Sequence, residues 1–104
     1  MSSLFWTGYS GADRYATISA LQSIISPFGD ITGFQPFSDL ALTVTIELPE
    51  RHADGLYAAL CKVMTMDAAA PLASDSARER TVFLNVSFAR GTGNLRTETP
   101  AVPG

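Results

Sequence analysis

Leu40-Ala41-Leu42-Thr43-Val44-Thr45-Ile46-Glu47-Leu48 places five large aliphatics on one parity and Ala, Thr, Thr and Glu on the other. Successive strand side chains point to opposite faces, so this stretch is a β-strand with one buried and one open face. Pro49-Glu50 follows at once. Proline suits the first turn of a helix, and Glu50 and Asp54 favour its positive end. Ala53, Leu56, Leu60 and Val63 then continue at helical spacing, which predicts a helix directly behind the strand.

Working outward, Leu4-Phe5-Trp6-Thr7-Gly8-Tyr9 is short and aromatic-rich and reads as a first strand. Ser10 and Asp13 stand three apart, like a capping box with Asp in place of Glu or Gln, and predict a helix start. Tyr15, Ile18, Leu21 or Gln22, and Ile25 give that helix an apolar face. Pro27 disfavours helix at Ser26, and Gly29 is expected to supply a left-handed exit. Ile31, Phe34 and Phe37 favour a strand that Gly33 and Pro36 confine to an edge. Ser38-Asp39 then turns the chain into the strong strand, forming a hairpin. From Asp67 to Ala77 the chain is rich in Ala, Ser and Asp and carries Pro71, predicting a loop or frayed helix extension that is the mobile segment of the domain. Thr81 to Ala89 alternates again, with Val82, Leu84, Val86 and Phe88 opposing Thr81, Phe83, Asn85 and Ser87. The organisation expected is one domain over residues 1–90 and an irregular C-terminal arm over 91–104.

Strand, helix, strand, strand, helix, strand resembles the ferredoxin-like plait over the chain up to Ala89. That resemblance, to a fold rather than a family, implies an α+β sandwich of βαββαβ order. It has a four-stranded antiparallel sheet in the order 4-1-3-2 and both helices on one face. The helices would cover Leu42, Val44, Ile46, Val82, Leu84 and Val86. The opposite face would show Thr43, Thr45, Glu47, Phe83, Asn85 and Ser87, with Phe5, Thr7 and Tyr9 joining according to register. The sides taken by Trp6 and Phe37 stay open.

Most ferredoxin-like signatures are missing. Acylphosphatases need a glycine-rich phosphate loop with Arg after the first strand, where this chain has Tyr9-Ser10-Gly11-Ala12 before Asp13-Arg14. RNA-recognition domains need aromatics flanked by basic residues on the central strands, and Thr43, Thr45 and Glu47 neither stack on nor attract bases. A metal loop of the copper-chaperone kind needs paired cysteines, and Cys61 is alone. The nitrogen-regulatory trimers carry a long loop where Ser38-Asp39 stands. Small-molecule-sensing regulatory domains of the ACT type and the dimeric α+β barrels survive this test.

Composition narrows the function classes. With 104 residues the chain has room for one modest core. Seven Arg or Lys against ten Asp or Glu leave a net charge of −3 and no basic stripe to neutralise phosphates, so no nucleic-acid partner is expected. Only 16% of residues are charged against 46% hydrophobic, which leaves apolar surface for a partner subunit. A lone cysteine excludes an intrachain disulfide and fits a reducing, cytoplasmic setting. No apolar run reaches the roughly 18 residues of a membrane span and no basic leader precedes Leu4-Phe5-Trp6, so the expectation is no membrane and no export.

Candidate functional residues fall into three groups. Phe83, with Thr43 and Thr45, lies on the parity opposite the core and predicts a homodimer interface on the open sheet face. Gly91-Thr92-Gly93-Asn94, flanked by Arg90 and Arg96, can offer backbone N–H groups and two guanidinium groups to a small anionic ligand. The site residues expected there are Arg90, Gly91, Gly93 and Arg96. His52, Tyr9 and Asp39 are the acid–base candidates if the chain is a small enzyme of the α+β barrel kind, with a cavity between sheet and helices opened by Gly8, Gly33 and the 67–77 loop. Otherwise His52 caps or solvates the second helix. Cys61, four residues after Tyr57, is expected as buried filler. No metal ligand set or cofactor motif is present. The reading is a homodimeric ligand-binding or regulatory module, with the small enzyme, or a structural protein binding through its C-terminal arm, as rivals.

Overall fold

The computed structural model describes residues 3–38 and 40–88. They form β1 (Ser3–Ser10), α1 (Arg14–Ile25), β2 (Asp30–Ser38), β3 (Ala41–Pro49), a 3-10 turn (Glu50–His52), α2 (Ala53–Cys61), β4 (Thr65–Met66) and β5 (Glu79–Phe88). The class is α+β, with a five-stranded mixed sheet in the order β2-β3-β5-β1-β4.

The four-stranded antiparallel plait is not what the chain builds. The alternating strand near the C-terminus does not lie at an edge beside β1 in antiparallel register. Instead β5 lies between β1 and β3, parallel to β1 from Ser3↔Thr81 to Ser10↔Phe88 and antiparallel to β3 from Ala41↔Ser87 to Pro49↔Glu79. The antiparallel slot outside β1 is taken by β4, through Gly8↔Met66 and Tyr9↔Thr65. Two residues have no readable period, so this strand left no trace in the pattern.

Burial follows the parity of β3 and β5. Leu42, Val44, Ile46 and Leu48 from β3, and Val82, Leu84 and Val86 from β5, are at most 2% exposed and pack with Leu21 and Ile25 of α1 and Ala53, Leu56 and Leu60 of α2. Trp6 joins this core from β1. Both helices therefore cover one face of the sheet.

Local signals hold with adjustments. α1 starts at Arg14 because Asp13 is the N-cap, its carboxylate accepting the Ala16 N–H at 2.8 Å. Ser10 is not part of that cap; its hydroxyl lies 2.7 Å from that of Thr17 in the interior. The inward stripe of α1 is Thr17, Leu21 and Ile25, which turns Tyr15 out to 68% exposure. α2 ends at Cys61, so Val63 falls beyond the helix and is 48% exposed. Gly29 has no left-handed backbone. It is needed for space: an added Cβ would lie 2.4 Å from the Glu47 carbonyl oxygen and 2.6 Å from the Leu48 Cβ. The hairpin of β2 and β3 forms as expected, with Pro36 on the sheet edge and bulges between Ile31 and Gly33 and between Pro36 and Ser38.

Val44 and Leu84 are opposite one another at the centre of the sheet, both fully buried. Val44→Asp should abolish the cooperative unfolding transition, because an unpaired buried charge costs several kcal/mol against a total stability of about 5–15 kcal/mol. Leu84→Ala should keep the fold but lower stability by about 2–5 kcal/mol in urea titrations followed by circular dichroism.

Candidate functional site

The sheet has a second face that nothing in the described chain covers. Registration lines its residues up in rows across the strands. Gly33, Thr45, Phe83 and Phe5 form one row, and Gln35, Thr43, Asn85 and Thr7 the next. Ala41, Ser87, Tyr9 and Thr65 form a third. Phe5 and Phe83 stack with ring centroids 5.3 Å apart at an interplanar angle of 20°. Phe5 is 72% exposed and Tyr9 50%. The Thr43 hydroxyl donates to Asn85 Oδ1 at 2.6 Å, so the central polar pair satisfies itself. These three rows hold no charged residue; Asp30, Glu47 and Glu79 lie at the end of the face where β3 meets the start of β5.

The structure thus brings Phe83, Thr43 and Thr45 together on the open face. Arg90, Gly91, Gly93 and Arg96, the anion-site residues, lie outside the described residues, as does Asp39. Tyr9 is on the open face, in a row with Ala41, Ser87 and Thr65 that holds no acid or base. His52 does not cap α2 through its side chain: its Nδ1 is 2.8 Å from the Phe28 carbonyl oxygen, and its ring meets that of Phe28 edge-on, tying the α1–β2 turn to the helix start. Cys61 is exposed rather than buried, because the inward stripe runs through Leu56 and Leu60 and the next residue is turned about 100° away. Among the described residues no group of three His, Cys, Asp or Glu side chains could hold a metal ion, and no helix is long and apolar enough to cross a membrane.

A second feature lies on the helix side, where the chain between β4 and β5 crosses β1. Residues 67–78 are strapped to the first turns after β3. The backbone N–H of Glu50 donates to the Arg78 carbonyl at 2.8 Å and that of Arg51 to the Ser76 carbonyl at 2.9 Å. The Asp54 carboxylate accepts the N–H groups of Leu72 and Ala73, one on each oxygen, both at 2.8 Å. Ala73 has a φ of 49°, a left-handed conformation unusual for alanine. Glu50 accepts from the Ser74 hydroxyl at 3.0 Å and pairs with the Arg80 guanidinium. These two carboxylates, read in the sequence only as helix-dipole partners, hold the strap. No sequence signal pointed to that role, since most of what they bind is backbone and a serine in an Ala- and Ser-rich segment.

Under the strap is a cavity of about 270 Å³. Leu4 and Trp6 of β1 form its floor, Asp54 and Tyr57 of α2 one wall, and residues 69–72 the other. Trp6 and Tyr57 meet edge to face at 5.4 Å. The Tyr57 hydroxyl donates to the Asp67 carbonyl at 2.5 Å. Desolvation pushes its ionisation above the usual tyrosine value, with the Cys61 thiol adding to the shift, so the hydroxyl stays protonated at neutral pH. The expected cavity between sheet and helices exists at the 67–77 loop, but Gly8 and Gly33 do not line it: Gly8 abuts the Met64 and Met66 sulfurs, and Gly33 belongs to a groove between α1 and β2.

Comparison with known proteins finds no matching family model, no matching curated protein and no matching solved structure.

Glu50 gives the strap a pH signature. The hydrogen bond from Ser74, with the Arg80 guanidinium, holds its carboxyl below the ordinary 4.5. A carboxyl lowered in the folded state stabilises above its unfolded value, and that contribution is lost as pH falls through the folded value. Urea midpoints should therefore decline on acidification below about pH 4.5, and Glu50→Gln should remove part of that slope while lowering the midpoint at pH 7. An unchanged slope in the variant would show that Glu50 does not hold the strap.

Proposed function

We propose that this chain is a small cytoplasmic binding or regulatory module that works as a homodimer, joined through the open sheet face. The observation that carries the reading is the composition of that face: three aligned rows dominated by aromatic, threonine and amide side chains, without a charge. Charged groups are the costly ones to desolvate at an interface core, and aromatics are the enriched ones. A second copy is the fitting occupant, because a neutral face neither attracts nor repels itself and a twofold contact needs only self-complementarity.

The area is adequate. Four strands spaced ~4.8 Å apart, each contributing about eight residues at a rise of ~3.3 Å, give a face of roughly 500 Å², of which the three uncharged rows make up about three-quarters. Two such faces would bury about 1,000 Å², where specific interfaces begin. The scarcity of catalytic groups favours binding over catalysis: His52 is engaged with the Phe28 carbonyl, and Glu50 and Asp54 are engaged with the strap.

Sedimentation velocity at micromolar concentration should show a dimer. Phe83→Glu and Phe5→Glu should each shift it to monomer with an unchanged circular-dichroism spectrum, since both side chains leave the sheet away from the core. A monomeric unsubstituted protein would overturn the reading.

A further inference from the structure

The geometry points to a ligand site in the strap cavity, for a neutral, flat aromatic molecule that carries one N–H or O–H donor. The inference specifies the ligand of the binding module proposed above and rests on that reading only for the premise that a small molecule is bound. It lies on the helix side of the sheet, away from the dimer face, so the two can fail separately.

Size sets the first limit. A cavity of about 150 Å³ lined by aliphatic side chains stays dry and takes benzene. At about 270 Å³ this one has room for a fused two-ring system. Its floor and strap wall are hydrocarbon, from Leu4, Trp6, Pro71 and Leu72. The Trp6 and Tyr57 rings, held edge to face, give a flat guest both a ring face and a ring edge to pack against.

Charge and hydrogen-bond capacity set the second. The lining contains no Lys or Arg, and its one ionisable acid is Asp54, so an anion would be unpaired and repelled. Several polar groups of the lining are already paired: the Tyr57 hydrogen goes to the Asp67 carbonyl, the Ala69 N–H to the Tyr57 oxygen, and the Leu72 and Ala73 N–H groups to Asp54. The further lone pairs of the Asp54 carboxylate supply open acceptor capacity on the wall. A guest with one donor matches that inventory. A full cation is disfavoured because an ammonium would give up its hydration to a lining that is apolar apart from one carboxylate, two of whose lone pairs are already taken by N–H groups.

Calorimetry on the full chain tests this with four probes sharing one ring system: indole, 1-methylindole, indole-3-acetate and tryptamine. Indole should bind with a Kd below about 1 mM, and each of the other three should bind about tenfold or more weakly. Ala70→Phe, which fills the cavity from the strap, should abolish indole binding; Ala70→Leu serves the same purpose should the larger side chain unfold the protein. Phe83→Glu, on the opposite face, should leave indole affinity unchanged. The inference is overturned if indole does not bind, if the cavity-filling variant binds it as well as the unsubstituted protein, or if the methylated, anionic or cationic probe binds as tightly. An unsubstituted protein that is monomeric yet binds indole would reject only the self-association reading.

Discussion

The placement of Glu79–Phe88 between β1 and β3 is the constraint from which the rest of the architecture follows. β4 and β5 lie on opposite sides of β1. The chain joining them has to cross β1, and it does so on the helix side, over Leu4 and Trp6. A crossing segment without regular hydrogen bonding leaves backbone groups to satisfy. Asp54, Glu50 and the backbone of Arg51 provide the partners, and the space left between the crossing and the strand beneath it is the cavity. Had the last strand paired at the outer edge of β1, as in a plait, no crossing would be needed and there would be no strap and no cavity.

What the sequence made legible is what alternation encodes. The parity of Leu42 through Leu48 and of Val82 through Val86 tells which face is buried, and it equally tells that Thr43, Thr45 and Phe83 share the other. Alternation carries nothing about neighbours. The pattern of β5 is compatible with an edge or a centre and with parallel or antiparallel pairing, so the strand order could not be read from it. Thr65-Met66 forms a strand only because β1 offers its outer edge. The first turns of α2 show the same limit from the other side: Glu50 and Asp54 sit where acids stabilise any helix start, and only the folded strap shows that their oxygens are committed to Ser74, Leu72 and Ala73.

β1 is the element shared by both candidate surfaces. Phe5 and Tyr9 leave it toward the open face, whereas Leu4 and Trp6 leave it toward the cavity. Because the side-chain period of a strand is two, a substitution at Phe5 acts on one surface without touching the lining of the other. Backbone changes do not separate in this way. A shift of β1 along β5 would move Phe5 off Phe83 and Trp6 off Tyr57 together, and a slip of one residue would exchange the two faces outright. The register is held by eight consecutive pairings with β5 and by the Met64 and Met66 sulfurs seated over Gly8, where no side chain can intervene. That rigidity lets one eight-residue strand present an aromatic surface on one side and the floor of a cavity on the other.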